Sequence, residues 1–257
     1  MPTFLFDKIV IGPVISRRLG VSLGINLLPA SNKFCNFDCI YCECGRNSEN
    51  QSKNLPARTD VYAALEDRLS AMQQSGQLPD AITFAGNGEP TLHPAFADIV
   101  DDTILLRNRY APQSKITVLS NATMLHREET VEALKKVDMP ILKLDTATDA
   151  TLETLNQPAK KISVARLIEQ LQTFGNKCII QTMFLKGEYK GKTVDNTTAA
   201  ELDAWENAIV AIRPQKVTIY SIARDTPVET LKKVSGDTLK NIAQRISNHG
   251  ISIQVSE

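Results

Sequence analysis

The chain has 257 residues, 42% hydrophobic and 23% charged, with 12 glycines and 12 prolines. That composition excludes intrinsic disorder, collagen-like repeats and a small disulfide-stapled scaffold, and the length suits one large α/β domain or two small ones. Twenty-nine basic residues balance 29 acidic ones, so the overall attraction expected of a general nucleic-acid binder is missing and only a local basic patch would serve.

In chain order, Met1 to Val10 carries Asp7 and no apolar core with a small-residue cleavage site, so no secretory signal is expected. No run approaches about 18 apolar residues. A cytoplasmic protein without membrane contact is the simplest expectation. Short runs rich in Val, Ile and Leu at 23–28, 81–85, 116–120, 141–145, 178–184 and 217–221 read as strands. Between them lie helical patterns. Thr59 is the predicted N-cap of a helix presenting Val61, Leu65, Leu69 and Met72 on one face, ended by Gly76. Val164, Leu167, Ile168 and Leu171 keep helical spacing, with Gly175 as the stop. Further helices read at 94–106, 127–137, 198–212 and 236–248. The alternation predicts an α/β fold with parallel strands, a partial (β/α)6 TIM-like barrel in a single domain. Residues 1–22 would be an N-terminal extension, 23–234 the barrel core and 235–257 a closing helix and strand, with 8–15 and 251–255 at the sheet edges.

Four of the five cysteines, Cys35, Cys39, Cys42 and Cys44, fall within ten residues; Cys178 stands apart. An odd count without an export signal argues for metal or redox chemistry rather than disulfides. At the chain's own cysteine frequency, C-x3-C-x2-C arises by chance in roughly 0.002 chains of this length. Three readings compete. Zinc wants a second ligand pair, but His93, His126 and His249 are scattered. A closed ferredoxin-like cluster would take Cys44 as fourth ligand, at an unusual spacing. The third is a 4Fe–4S cluster on Cys35, Cys39 and Cys42, leaving one iron open to a substrate.

The same motif, with Tyr41 just before its last cysteine, resembles the signature of the radical S-adenosylmethionine (SAM) superfamily. Segments 12–26, 86–91, 180–187 and 219–224 resemble, in order, the branch containing the tRNA wyosine-base (4-demethylwyosine synthase-like) enzymes. The resemblance implies a half-open barrel, one 4Fe–4S cluster and SAM as cofactors, and a reducing partner such as flavodoxin or ferredoxin. It implies reductive cleavage of SAM to a 5′-deoxyadenosyl radical that abstracts hydrogen from a substrate. It further implies that Gly86, Gly88 and Glu89 meet the SAM amino group, although Asn87 stands where the family has a middle glycine. Ser120 and Asn121 match the pair contacting SAM carboxylate and ribose, and Gln181 lies in the segment near the adenine. Relatives in that branch hold a second cluster on cysteines N-terminal to the motif. No cysteine precedes Cys35, so a single cluster is expected and tRNA is not the favoured substrate.

These residues end successive predicted strands, where parallel α/β folds place their chemistry. Lys143 and Asp145 share one strand face, either lining a cavity or forming a structural ion pair. Met183 shares a face with Gln181; Asn26 and Tyr220 are further polar residues within strand runs. Arg224 is a candidate anchor for a carboxylate. Arg17 and Arg18 suit either a phosphate or a solvated edge. Cys44 is a cluster ligand, a hydrogen donor or an idle thiol, Cys178 a small core hydrophobe, and His93 a loop residue.

Overall fold

The computed structural model describes residues 4–16, 18–48 and 52–256. Its strands in chain order are β1 Val10–Ser16, β2 Gly20–Ile25, β3 Ala81–Phe84, β4 Lys115–Ser120, β5 Met139–Lys143, β6 Ile179–Met183, β7 Leu185–Tyr189, β8 Lys192–Asp195, β9 Lys216–Tyr220, β10 Lys232–Lys233 and β11 Ile253–Ser256. Helices α1 Arg58–Ser75, α2 Phe96–Tyr110, α3 Glu128–Lys136, α4 Asp149–Leu155, α5 Val164–Gln172, α6 Ala199–Ile212 and α7 Gly236–Ser247 alternate with them. The main sheet runs β1-β2-β3-β4-β5-β6-β9-β11. Only the β1–β2 pair is antiparallel; the others are parallel. This is the half-barrel α/β architecture that the strand–helix alternation predicts. No helix among the described residues is long and apolar enough to cross a membrane.

Alternation along each strand decides the packing. Ile82, Phe84, Val118, Leu142, Ile180, Val217 and Ile219 are fully buried and share one core with Leu65 and Leu69 of α1, Val100 and Leu106 of α2, and Ile209 of α6. Each such side chain contributes roughly 1.5–3 kcal/mol by leaving water. The opposite face is more polar, and the loops at the carboxyl ends of the strands cover part of it.

Several local expectations change. The first core strand stops at Ile25 rather than reaching 28. Asn26 leaves the ladder and closes a turn, its Oδ1 accepting the Leu28 N–H at 3.2 Å. Helix α1 starts at Arg58, so Thr59 is not its N-cap; Ala57 holds that position without a side-chain bond. Arg58 is instead tied to Asp102 on α2 through Nε at 2.6 Å. Gly76 does end α1 in the left-handed region, at φ 71°. Helix α5 ends at Gln172, with Thr173 as its C-cap, ahead of Gly175. Two features escaped the hydrophobic pattern altogether. Helix α4 is too short to show a period, and β10, β7 and β8 form a separate polar three-stranded sheet.

Candidate active site

The cysteine segment follows β2 and is stitched to the loop after β3. The Phe34 N–H donates to the Asn87 carbonyl at 2.7 Å, and the Glu89 N–H donates to the Phe34 carbonyl at 3.1 Å. This close approach explains two glycines. A Cβ on Gly88, at φ 143°, would overlap the Phe34 carbonyl oxygen, and one on Gly86 would overlap the Asn26 side chain. Asn87 also has a purpose of its own. Fully buried, it donates from Nδ2 to the carbonyls of Phe6 and Pro29, each at 2.8 Å, and accepts the Phe6 N–H at 2.8 Å. The side chain that departs from the family pattern thus fastens the N-terminal segment beneath the cysteine loop.

A cavity of about 180 Å³ lies between these loops and the ends of β4, β5 and β6. Cys35, Cys39, Cys42 and Cys44 border it together with Tyr41, Gly86, Gly88, Glu89, Ser120, Asn121, Lys143 and Gln181. Sequence positions spread over almost 150 residues therefore meet at one place. Arg224 does not join them. It is exposed, paired with Glu43 at 2.5 Å, and absent from the cavity wall. Asp145 lies behind the wall rather than in it. Arg17 lies outside the described residues.

Glu89 organises one end. Its Oε1 accepts from the Ser120 hydroxyl at 2.8 Å and from the Thr91 N–H and hydroxyl, while Oε2 accepts the Asn121 N–H at 2.6 Å. Burial raises its pKa, and these donors work against that rise. Asp145 organises the other wall. It accepts from the Tyr41 hydroxyl, from Asn156 Nδ2 at 2.8 Å and from the Met183 N–H at 2.9 Å, and pairs with Lys143 Nζ at 3.4 Å. Burial opposes the Lys143 charge, yet Asp145 foremost holds its pKa above the usual lysine value. The Lys143–Asp145 pair is thus structural at its carboxylate and cavity-facing at its ammonium.

The sulfurs sit among groups that favour anionic sulfur. The Phe37 N–H donates to Cys35 Sγ at 3.4 Å, Asn156 Nδ2 to Cys39 Sγ at 3.3 Å, and Asn121 Nδ2 approaches Cys35 Sγ at 3.7 Å. Lys33 is almost fully buried, bonded to Asp38 Oδ1 and the Gly45 carbonyl, each at 3.1 Å. Its burial lowers its pKa, but Cys42 and the neighbouring cysteines raise it further, for a net rise. Burial pushes the Cys35 and Cys39 thiols up, whereas Cys42 is drawn down to about 6, chiefly by the hydrogen bond from Cys44. Among the described residues no three His, Cys, Asp or Glu side chains converge on a point that would hold one metal ion, which disfavours the zinc reading. Thiols set around a cavity, with N–H donors behind them, fit a multi-iron group better.

Lys33 and Asn156 are the residues that sequence reasoning missed. A lysine two positions before a cysteine carries no sign of burial, and Asn156 ends the unforeseen α4. Cys178 is fully buried with its thiol pushed up to about 12, as burial in apolar surroundings dictates. His93 is a loop residue that contacts the Pro56 carbonyl at 2.9 Å.

A curled, mostly parallel sheet with a triple-cysteine loop after its first parallel strand defines a class of half-barrel iron–sulfur enzymes. The Radical SAM superfamily model matches residues 31–196, well over half of the chain, and the protein belongs to that superfamily. That membership implies a 4Fe–4S cluster and SAM. Similar curated proteins include GTPase Obg of Brachyspira hyodysenteriae, 28% identical over 98% of this chain and 35% of that protein. A UPF0026 protein of Methanocaldococcus jannaschii is 29% identical over 74% of this chain and 53% of its own length. The chain thus spans about half or less of these two relatives; it covers 92% of a UPF0026 protein of Synechocystis, at 28% identity. Among solved structures, a radical SAM methyltransferase from Sphaerobacter thermophilus superposes with TM-score 0.67 at 13% identity, over 91% of this chain and 65% of that one. SuiB of Streptococcus suis bound to S-adenosylmethionine gives 0.64 at 15%, over 91% and 50%. TYW1 with a lysine-pyruvate adduct bound gives 0.59 at 14%, over 88% and 73%. At such identities these likenesses speak for the fold.

Proposed function

We propose that Cys35, Cys39 and Cys42 hold a single 4Fe–4S cluster with one iron left for SAM, and that the chain abstracts hydrogen from a substrate in the half-barrel. The observation that carries this is the convergence of those three cysteines with Glu89, Ser120, Asn121 and Gln181 on one cavity. When bound, the cluster and SAM supply the electron and the 5′-deoxyadenosyl radical. The protein's own part is orientation and exclusion of water. Glu89 holds Ser120 and the Asn121 N–H in place and presents a buried carboxylate to the SAM ammonium group. Lys143 presents a cation beside the Tyr41 ring, its Nζ 5.1 Å from the ring centroid. Asn156 and Phe37 steady the sulfurs by hydrogen bonding. A reductant such as flavodoxin or ferredoxin completes the scheme.

The rival reading is a closed cluster in an electron carrier, with Cys44 as fourth ligand, because Cys44 also borders the cavity. The Cys44 Sγ instead donates to the Gly86 carbonyl at 3.7 Å. A tRNA substrate is less favoured, since the balanced charge supplies no general attraction.

The test is 5′-deoxyadenosine formation by anaerobically reconstituted protein with SAM and a strong reductant. Cys39→Ala is expected to lose cluster iron and product together. Cys44→Ala is expected to keep its iron; its loss would favour the electron-carrier reading.

A further inference from the structure

The inner face of the sheet is chemically unlike its outer face. Registered neighbours on it run Thr83–Thr117, then Lys143–Gln181–Thr218–Gln254, then Met183–Tyr220–Ser256. A barrel interior that serves only as a packed core is filled by branched aliphatic side chains. Here hydrogen-bonding groups share those positions with aliphatic ones such as Leu119 and Ile141. Lys143 and Gln181 border the cysteine cavity. Among the described residues no hydrogen bond to protein occupies the Gln181 amide or the Thr218 hydroxyl, and neither is sealed off as the Thr117 hydroxyl is, so both stay open to a partner from the half-barrel.

Arg18 supplies the second observation. It sits in the turn joining β1 to β2, and four strands lie between β2 and β9 in the sheet. Nevertheless its guanidinium carbon lies 5.0 Å from the centroid of the Tyr220 ring on β9. The contact therefore spans the concave side. Lys143 Nζ lies 6.0 Å from the same ring centroid, so two cations flank one aromatic ring. Their circumstances differ. Asp145 balances Lys143, whereas Arg18 has no carboxylate partner within 4.0 Å among the described residues. A stacked guanidinium is held in place by the ring while its in-plane N–H donors stay free for a carboxylate or phosphate.

We propose that Arg18, steadied on Tyr220, is the anion anchor of the substrate site. The substrate is then a small organic anion with a hydroxyl- or amide-bearing body, laid along Tyr220, Thr218 and Gln181 toward the cysteines. This names the substrate class for the enzyme proposed above and rests on that reading. The arginine that the sequence pairs most readily with an anion, Arg224, is already neutralised by Glu43, whereas among the described residues Arg18 faces Tyr220 without such a partner.

The probes are L-malate and glycerol 3-phosphate, which separate carboxylate from phosphate, with glycerol as the uncharged control. Binding to the reconstituted holoprotein is read by calorimetry in the presence of SAM, where a dissociation constant of about 1 mM is measurable. At least one anion is expected to bind and glycerol is not. Arg18→Ala and Tyr220→Leu should each weaken that binding about tenfold, with Arg18→Lys in between because it keeps charge but loses the fork. No binding of either anion, or binding unchanged in Arg18→Ala, overturns the proposal. Iron content and the SAM-induced change in the cluster's EPR spectrum are measured on the same samples. Their loss in the wild type would instead overturn the cluster reading, so the two failures are distinguishable.

Discussion

The surroundings of Glu89 and Asp145 and the strand wall around Tyr220 differ in how far the protein has already satisfied its own polar groups. Around Glu89 and Asp145 most donors and acceptors are paired within the protein, Asn156 Oδ1 being an exception: each carboxylate collects four donors, some from two residues away and the rest from elements distant in sequence. Around Tyr220 the reverse holds, with Gln181, Thr218 and Arg18 leaving hydrogen-bonding capacity unspent. A saturated network is stiff, since moving one member breaks several bonds at once. An unsaturated wall has its strongest interactions still to make. On our proposal the constant partner, the cofactor, meets the rigid region and the reaction's variable partner the open one.

That comparison can be broken at the saturated end first. Asp145→Asn removes the charge facing buried Lys143 and the acceptor for Tyr41. It is expected to destabilise the fold by about 3–5 kcal/mol, read by urea unfolding of the apoprotein. A loss under about 1 kcal/mol would mean that the network is not the stiff element. Gly88→Ala comes next. The added methyl meets the Phe34 carbonyl in a backbone conformation that suits glycine, so a cost on the order of 3 kcal/mol is expected, with poorer iron retention after reconstitution. Arg224→Ala should do least. Its pairing with Glu43 is exposed, and a loss within about 1 kcal/mol is expected, with the SAM-dependent spectrum unchanged. A clear fall in SAM binding would return Arg224 to the cofactor site.

Much of the barrel was legible because its signals are local. Apolar runs separated by amphipathic stretches announce strands and helices, and strand ends announce where polar residues gather. Boundaries were less secure. Asn26 extends an apolar run on paper, but its side chain bonds better in a turn than in a ladder. The small β10-β7-β8 sheet was invisible, since Lys186, Glu188, Lys192 and Thr193 form no apolar period. The site was legible in part. Glycines 86 and 88 suggest close approach, yet nothing local says that the approaching partner is the chain's own Phe34 carbonyl. Arg224 and Arg18 are chemically equivalent in sequence, and only the position of Glu43 and the Tyr220 ring separates them.

The sequence by itself determined the cysteine motif, the alternation that builds a parallel sheet, and the superfamily these imply, because ligand spacing and hydrophobic period are properties of neighbouring residues. Tertiary structure alone decided which charges are spent and which remain free. That outcome depends on pairs such as Lys143 with Asp145, Arg224 with Glu43, and Asn156 with Cys39. Such contacts form only once the fold is made, between distant segments for Arg224 with Glu43 and Asn156 with Cys39, and between neighbours two residues apart for Lys143 with Asp145.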